Sequence, residues 1–339
     1  MPFKRTFHNV DPSATDYTAK AGVFDTCSTL VAPTQPTYYQ SYWFMYFLHG
    51  TNGHDYFVVG HVVAHTLTAP PKPVFRVCLL DIDEGYWFGE TFPALDSVFA
   101  LDAIHCKAGD RFEVRSTRPG DHASPILCKS TVEGAQFELV ASPRGPTLYA
   151  GGQGTFFWGT DWTYQMSFPE MWVTGTFKYK GEVIEVVPEK SMAWLDRQYG
   201  MGVGKAGWDL YMLILENGMK ASIWRSQACG SGSKKQYVAT VVYPDSHHEI
   251  YPVDNHIELS QPFVSEETGY LYHAHQVLTI AGLDARIELQ QPWPVGEMAI
   301  KGHHDPVTTL FEGYVNVKGR IRGEEVKGWG VSERRVTEL

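Results

Sequence analysis

Two aromatic strands that each run into an Asn-Gly pair constrain the fold of this chain most. Trp43-Phe44-Met45-Tyr46-Phe47-Leu48 leads through Asn52-Gly53 into a second apolar run over 56–67. Trp208-Asp209-Leu210-Tyr211-Met212-Leu213-Ile214-Leu215 leads through Asn217-Gly218 into 220–225. Asn-Gly between apolar runs is a strong hairpin signal, because a two-residue turn that matches strand twist needs positive φ at its centre. A second echo follows in the same order: Thr174-Gly175-Thr176-Phe177-Lys178-Tyr179-Lys180-Gly181, then Glu312-Gly313-Tyr314-Val315-Asn316-Val317-Lys318-Gly319. Two ordered echoes imply two similar halves, 1–190 and 191–339; the alternative is that unrelated hairpins look alike.

Further strand patterns fall at 74–80, 111–116, 137–141, 172–179, 182–187, 209–215, 237–243, 270–280, 285–290, 313–317 and 330–336. Helical periodicity is scarce, and only 94–103 suggests a short helix. With 339 residues and 43% apolar content, the chain can fill two cores. The fold class is therefore all-β: two antiparallel β-barrel or sandwich domains in tandem.

Charge and cysteine usage narrow the partners. A formal charge of −10 opposes a nucleic-acid partner. The five cysteines have irregular spacing and no Cys-x-x-Cys, which suggests neither a disulfide framework nor a zinc knuckle. Met1-Pro2-Phe3-Lys4-Arg5 lacks an apolar signal core, and no segment reaches membrane-span length, so a cytoplasmic chain is expected. Gly151-Gly152-Gln153-Gly154 is not followed by a helix pattern, and no Gly-x-Ser-x-Gly occurs, which removes a phosphate loop and the common hydrolase elbow. No cofactor is expected. The expected partner is a hydrophobic small molecule, with the chain a monomer or homodimer.

The segment Ser191-Met192-Ala193-Trp194-Leu195-Asp196-Arg197-Gln198-Tyr199-Gly200 gathers the most chemistry. On an extended strand Trp194, Asp196 and Gln198 share one face and Leu195, Arg197 and Tyr199 the other. Asp196 could protonate an alkene if burial raised its pKa; equally, Asp196 and Arg197 could tie two domains together. Phe57, Val59, His61, Val63 and His65 alternate onto one strand face, where His61 and His65 could act as acid–base or orienting groups. Their spacing, about 13 Å along a strand, is too long for shared metal ligation. His273 and His275 form a similar pair, whereas His247-His248 and His303-His304-Asp305 sit beside turn residues and are expected to be solvated.

Ser41-Tyr42-Trp43-Phe44, Thr174-Gly175-Thr176, Trp194 to Gly200 and Phe311-Glu312-Gly313-Tyr314 fall in one order. Together they resemble the tandem lipocalin-like family of hydroxyneurosporene synthase, a carotenoid hydratase, which includes kievitone hydratase and fungal lipocalin-like Diels–Alderases. The resemblance covers residue 38 to the C-terminus. It implies two lipocalin-like domains, an apolar interdomain pocket, and cofactor-independent chemistry on a hydrophobic natural product. Ser41 stands where decalin-forming members carry an acidic residue, and the Trp-x-Asp-x-Gln pattern lies closer to the hydratases.

Three functions fit these features. The first, favoured, is a cyclase that holds a polyketide or terpenoid in a near-attack conformation, with Tyr42, Trp194, Gln198 and Trp224 shaping the site and Ser41 and His65 beside the substrate. The second is a hydratase with Asp196 or His61 as acid. The third is a carrier without catalysis.

Overall fold

A computed structural model describes residues 5–8, 39–65, 72–94, 96–100, 104–118, 124–159, 161–201, 207–227, 235–254, 256–302 and 308–336. Within them, antiparallel strands follow the turn signals. The strand Tyr39–His49 turns through Asn52-Gly53 into Asp55–His65, and Trp208–Leu215 turns through Asn217-Gly218 into Lys220–Ser226. Gly53 and Gly218 adopt φ of 91° and 88°, which an L side chain enters only at a conformational cost. Asn217 completes its turn by accepting the Met219 N–H at 3.1 Å.

One sheet runs, from edge to edge, Trp87–Pro93, Lys72–Asp81, Asp55–His65, Tyr39–His49, Met192–Gly200, Asp161–Tyr179, Phe137–Pro143, Ile126–Ser130, Phe112–Ser116, His105–Ala108 and Ser97–Phe99. The other runs Arg5–His8, His247–Pro252, Gln236–Val242, Lys220–Ser226, Trp208–Leu215, Glu324–Arg335, Leu310–Ile321, Ala285–Gln290, Leu271–Ile280 and Glu258–Val264. Met192–Gly200 sits between two meanders of the first sheet. It pairs with Tyr39–His49 over nine rungs, from Met192↔Phe47 to Gly200↔Tyr39.

Contacts divide the chain into two units. One holds the described parts of Val10–Gly145 with Gln165–Met201; the other holds the described parts of Met1–Asn9, Pro146–Tyr164 and Gly202–Leu339. This division by contacts falls elsewhere than the expected boundary at 190. Met192–Gly200 belongs with the first unit, because its backbone groups complete that sheet, whereas Pro146–Tyr164 belongs with the second. The second echo is also displaced. Lys180-Gly181 forms a positive-φ turn, but its counterpart is Arg322-Gly323, while Lys318-Gly319 lies inside the strand Leu310–Ile321. The short helix expected at 94–103 gives way to the strand Ser97–Phe99, paired to His105–Ala108; residues 95 and 101–103 lie outside the described set. Val98 and Phe99 favour an extended chain over a helix.

Burial explains why the aromatic run does not alternate with polar residues. Ten successive residues of Tyr39–His49 are buried, as are eight of nine in Met192–Gly200. Strands covered on both faces read as continuous apolar sequence. The inner face of the first unit carries Phe44, Tyr46, Phe75, Phe112 and Phe137, with Phe75 and Phe112 ring centroids 5.4 Å apart and Tyr46 and Phe137 6.3 Å apart. Each such aromatic pair contributes roughly 0.5–1.5 kcal/mol beyond area burial. The second unit has its own core, including Tyr211, Leu213, Ile223, Leu278, Ile287 and Val315.

Candidate active site

Cross-strand register assembles the site within the first unit. Asp196 stands opposite Trp43, Trp43 opposite His61, His61 opposite Arg76, and Arg76 opposite Thr91. Directly opposed residues of antiparallel strands point to the same side, so these five side chains form one row across the sheet. The row above holds Gln198, Ser41 and Val63; the row below holds Trp194, Met45, Val59 and Cys78. A polar row thus crosses a largely apolar face. Asp196 and His61 are two strands apart, about 9–10 Å between backbones, with the Trp43 indole between them.

Asp196 is 6% exposed and its carboxylate is held from one side. Gln165 Nε2 donates to Oδ2 at 2.5 Å and Ser167 Oγ to Oδ1 at 2.6 Å. Burial raises its pKa to about 6, against the pull of these two donors, which lower it. A carboxyl with that pKa exchanges its proton near neutrality, as a general acid must.

His61 is held neutral: burial pushes its pKa well below 6.5, and the Arg76 cation pushes the same way. Ser41 Oγ lies 2.9 Å from His61 Nε2, and Arg76 Nη1 lies 3.1 Å from Nδ1. Arginine only donates, so Nδ1 accepts and the neutral ring carries its hydrogen on Nε2, donating to Ser41. The Trp43 ring packs on this imidazole with centroids 3.6 Å apart.

The opposite face holds different chemistry. Arg197 is fully buried there, its Nη1 donating to the Gln198 carbonyl at 2.9 Å and the Ser41 carbonyl at 3.2 Å, and its Nη2 to Gln40 Oε1 at 2.7 Å. Its guanidinium lies 4.4 Å from the Tyr42 ring centroid and 4.9 Å from that of Tyr199. Burial pushes the Tyr42 phenol up to about 12.

Of the residues singled out in the sequence, Asp196, His61, Ser41, Trp194 and Gln198 share one face, and Tyr42 lies on the other. His65 ends the Asp55–His65 strand opposite Tyr39, and its side chain lies outside the described residues. Trp224 belongs to the second unit. It packs there against Phe156, Trp158 and Trp208 with centroids 5.2, 5.8 and 6.4 Å away. His248 is buried, not solvated, because its Nε2 accepts the Tyr149 N–H at 3.0 Å; His303-His304-Asp305 lies outside the described residues.

Gln165, Ser167 and Arg76 were not singled out. The strand that carries the first two was expected to begin at 172 but begins at Asp161. Arg76, a lone cation in the run Val74 to Leu80, was the readable signal, since buried arginines are rarely without a specific role.

Two antiparallel β units, with a buried polar row that carries the Asp196 carboxyl on the first, define the class. The chain belongs to the AttH-like family, whose model matches residues 108–333. It is 26% identical over 315 residues to the dehydratase asqC of Emericella nidulans, covering 89% of this chain and 87% of that protein. It is 24% identical over 305 residues to kievitone hydratase of Fusarium solani subsp. phaseoli, covering 88% and 82%. The fold is that of kievitone hydratase from Nectria haematococca, at TM-score 0.83 and 19% identity over 97% of this chain and 98% of that one. CghA superposes more loosely, at TM-score 0.57 and 14% identity over 99% of each chain. The relatives support an enzyme. Among the described residues no helix is long and apolar enough to cross a membrane.

Proposed function

We propose that the chain is a hydro-lyase, adding water to an alkene of a hydrophobic substrate or removing it, with Asp196 as the proton donor. The observation that carries this reading is the buried Asp196 carboxyl, with a pKa raised to about 6, on the same face as Trp43 and Trp194. At pH 7 about one such carboxyl in ten is protonated, enough for general-acid catalysis. In the hydration direction the Asp196 proton moves to an alkene carbon, and the carbocation that forms is stabilised by the π-face of Trp43. Water then attacks that cation, and the Asp196 carboxylate takes back the proton that the bound water sheds. Dehydration runs the same steps backwards. His61, neutral and with Nδ1 occupied by Arg76, is an orienting group here and not a second acid.

The names of the relatives, one a dehydratase and one a hydratase, favour this reaction type over the cyclisation favoured from the sequence. The test uses kievitone, the compound two relatives are named for, in ¹⁸O-labelled water. The expected product gains one water carrying the label, and Asp196→Asn abolishes it. An isomer of unchanged mass, formed equally well by Asp196→Asn, would count for a cyclase; binding without turnover would count for a carrier.

A further inference from the structure

Counting donors and acceptors on the Asp196 face gives a result beyond the proton donor. Arg76 occupies Nδ1 of His61, so His61 Nε2–H donates to Ser41 Oγ. The Ser41 hydroxyl hydrogen is then left to point elsewhere, and among the described residues it meets no acceptor. The indole N–H groups of Trp43 and Trp194 are likewise buried without an acceptor. Both residues are more than nine-tenths buried and share the face with Ser41 and Asp196. Buried donors left unmatched are costly, each by about 1–3 kcal/mol.

We infer that this face is built to take a ligand that brings hydrogen-bond acceptors and no hydroxyl donors of its own at this spot: a planar carbonyl compound whose oxygen sits against Ser41 Oγ and the neighbouring Trp43 indole N–H, with the Trp194 N–H left for a second acceptor farther along the face. Arg76 and His61 are positioning residues. They touch the ligand only through Ser41, whose hydroxyl they turn outward and polarise, because each donor in a chain of hydrogen bonds strengthens the next. The role is that of a donor set that anchors a neutral carbonyl oxygen and so fixes the rest of the ligand on the Asp196 face. For a hydro-lyase this means an alkene carried by the same molecule as the carbonyl but not conjugated to it. The inference rests on the hydro-lyase reading only for that last statement, and its test is a binding measurement that does not depend on turnover.

Three rigid probes of nearly one shape separate the alternatives: 9-fluorenone carries an acceptor, fluorene carries neither group, and 9-hydroxyfluorene carries a donor. Calorimetric titration of the full chain is expected to show fluorenone binding about tenfold or more tighter than fluorene, with hydroxyfluorene between. Fluorenone is also expected to move the indole ¹⁵N–H signal of Trp43 downfield, and fluorene to leave it. Ser41→Ala is expected to weaken fluorenone about fivefold, the worth of one neutral hydrogen bond, and fluorene by less than about twofold. Arg76→Met is expected to release the His61 tautomer, read as a change in its ring ¹⁵N shifts, and to shrink the preference for the ketone. Fluorenone binding no tighter than fluorene in the unaltered chain, including no binding of either, overturns the inference whatever the variants do.

Discussion

The raised pKa of Asp196 has a consequence for stability that can be measured without any substrate. Its carboxyl ionises at about 6 in the folded chain, against 3.8 without the protein around it. Below about pH 3 both states hold the proton and the site has no pH-dependent effect. Between about pH 4 and pH 6 the unfolded chain releases it while the folded chain keeps it. The folded state therefore binds more protons, and stability falls as pH rises through this window. The difference of 2.2 between these pKa values corresponds to about 3 kcal/mol, at 1.36 kcal/mol for each. Most of it, about 2 kcal/mol, lies between about pH 4 and about pH 7.5.

Asp196→Asn keeps the shape, can still accept from Gln165 or Ser167, and cannot ionise. Groups common to both proteins cancel in the difference. Urea unfolding at the two pH values is expected to show the Asn variant gaining about 2 kcal/mol relative to the unaltered chain at the higher pH. A difference that does not change with pH would show that Asp196 ionises at an ordinary value. A change of opposite sign would show that its donors outweigh burial. Either result refutes the electrostatic reasoning.

Other outcomes follow from the same geometry. Gly53→Ala is expected to cost about 1 kcal/mol, from the positive φ alone, because a Cβ there meets nothing within 4 Å. Gly175→Ala is expected to cost about 3 kcal/mol or more, since its Cβ would lie 2.1 Å from the Glu138 carbonyl oxygen; both are checked by urea unfolding. Arg197→Met leaves the Gln40 side chain and two carbonyls without their donor and is expected to lose about 3 kcal/mol. Turnover of any hydro-lyase substrate is expected to fall as pH rises above about 6, as the Asp196 proton is lost, and a pH–rate profile flat to about pH 8 would contradict this.

Local patterns made the strands and hairpins legible. Gly53 and Gly218 take the positive φ of their turns, and apolar runs such as Tyr42 to Leu48 need two covered faces, so both features announce themselves. Period-two alternation also put Trp194, Asp196 and Gln198 on one face and Arg197 on the other, as the register has it. Non-local pairing was not legible. That Asp196 meets Trp43, and His61 meets Arg76, depends on which strands become neighbours, which no short window encodes. Gln165 and Ser167 were hidden for a related reason. They lie on the polar side of the alternating run Thr163 to Phe168, a side that period two alone assigns to solvent, whereas Gln165 to Phe168 are buried at every position. Trp224 looked like a pocket wall because aromatic residues suit both pockets and cores, and only packing tells the two apart.

The most direct measurement of the central claim is the ionisation of Asp196 itself, followed by the ¹³C shift of its labelled carboxyl in the folded chain. The account predicts a single midpoint at about 6, with the His61 ring remaining neutral throughout and its hydrogen on Nε2. A carboxyl midpoint at or below its ordinary value of 3.8, or a His61 that takes up a proton within the same range, would contradict it.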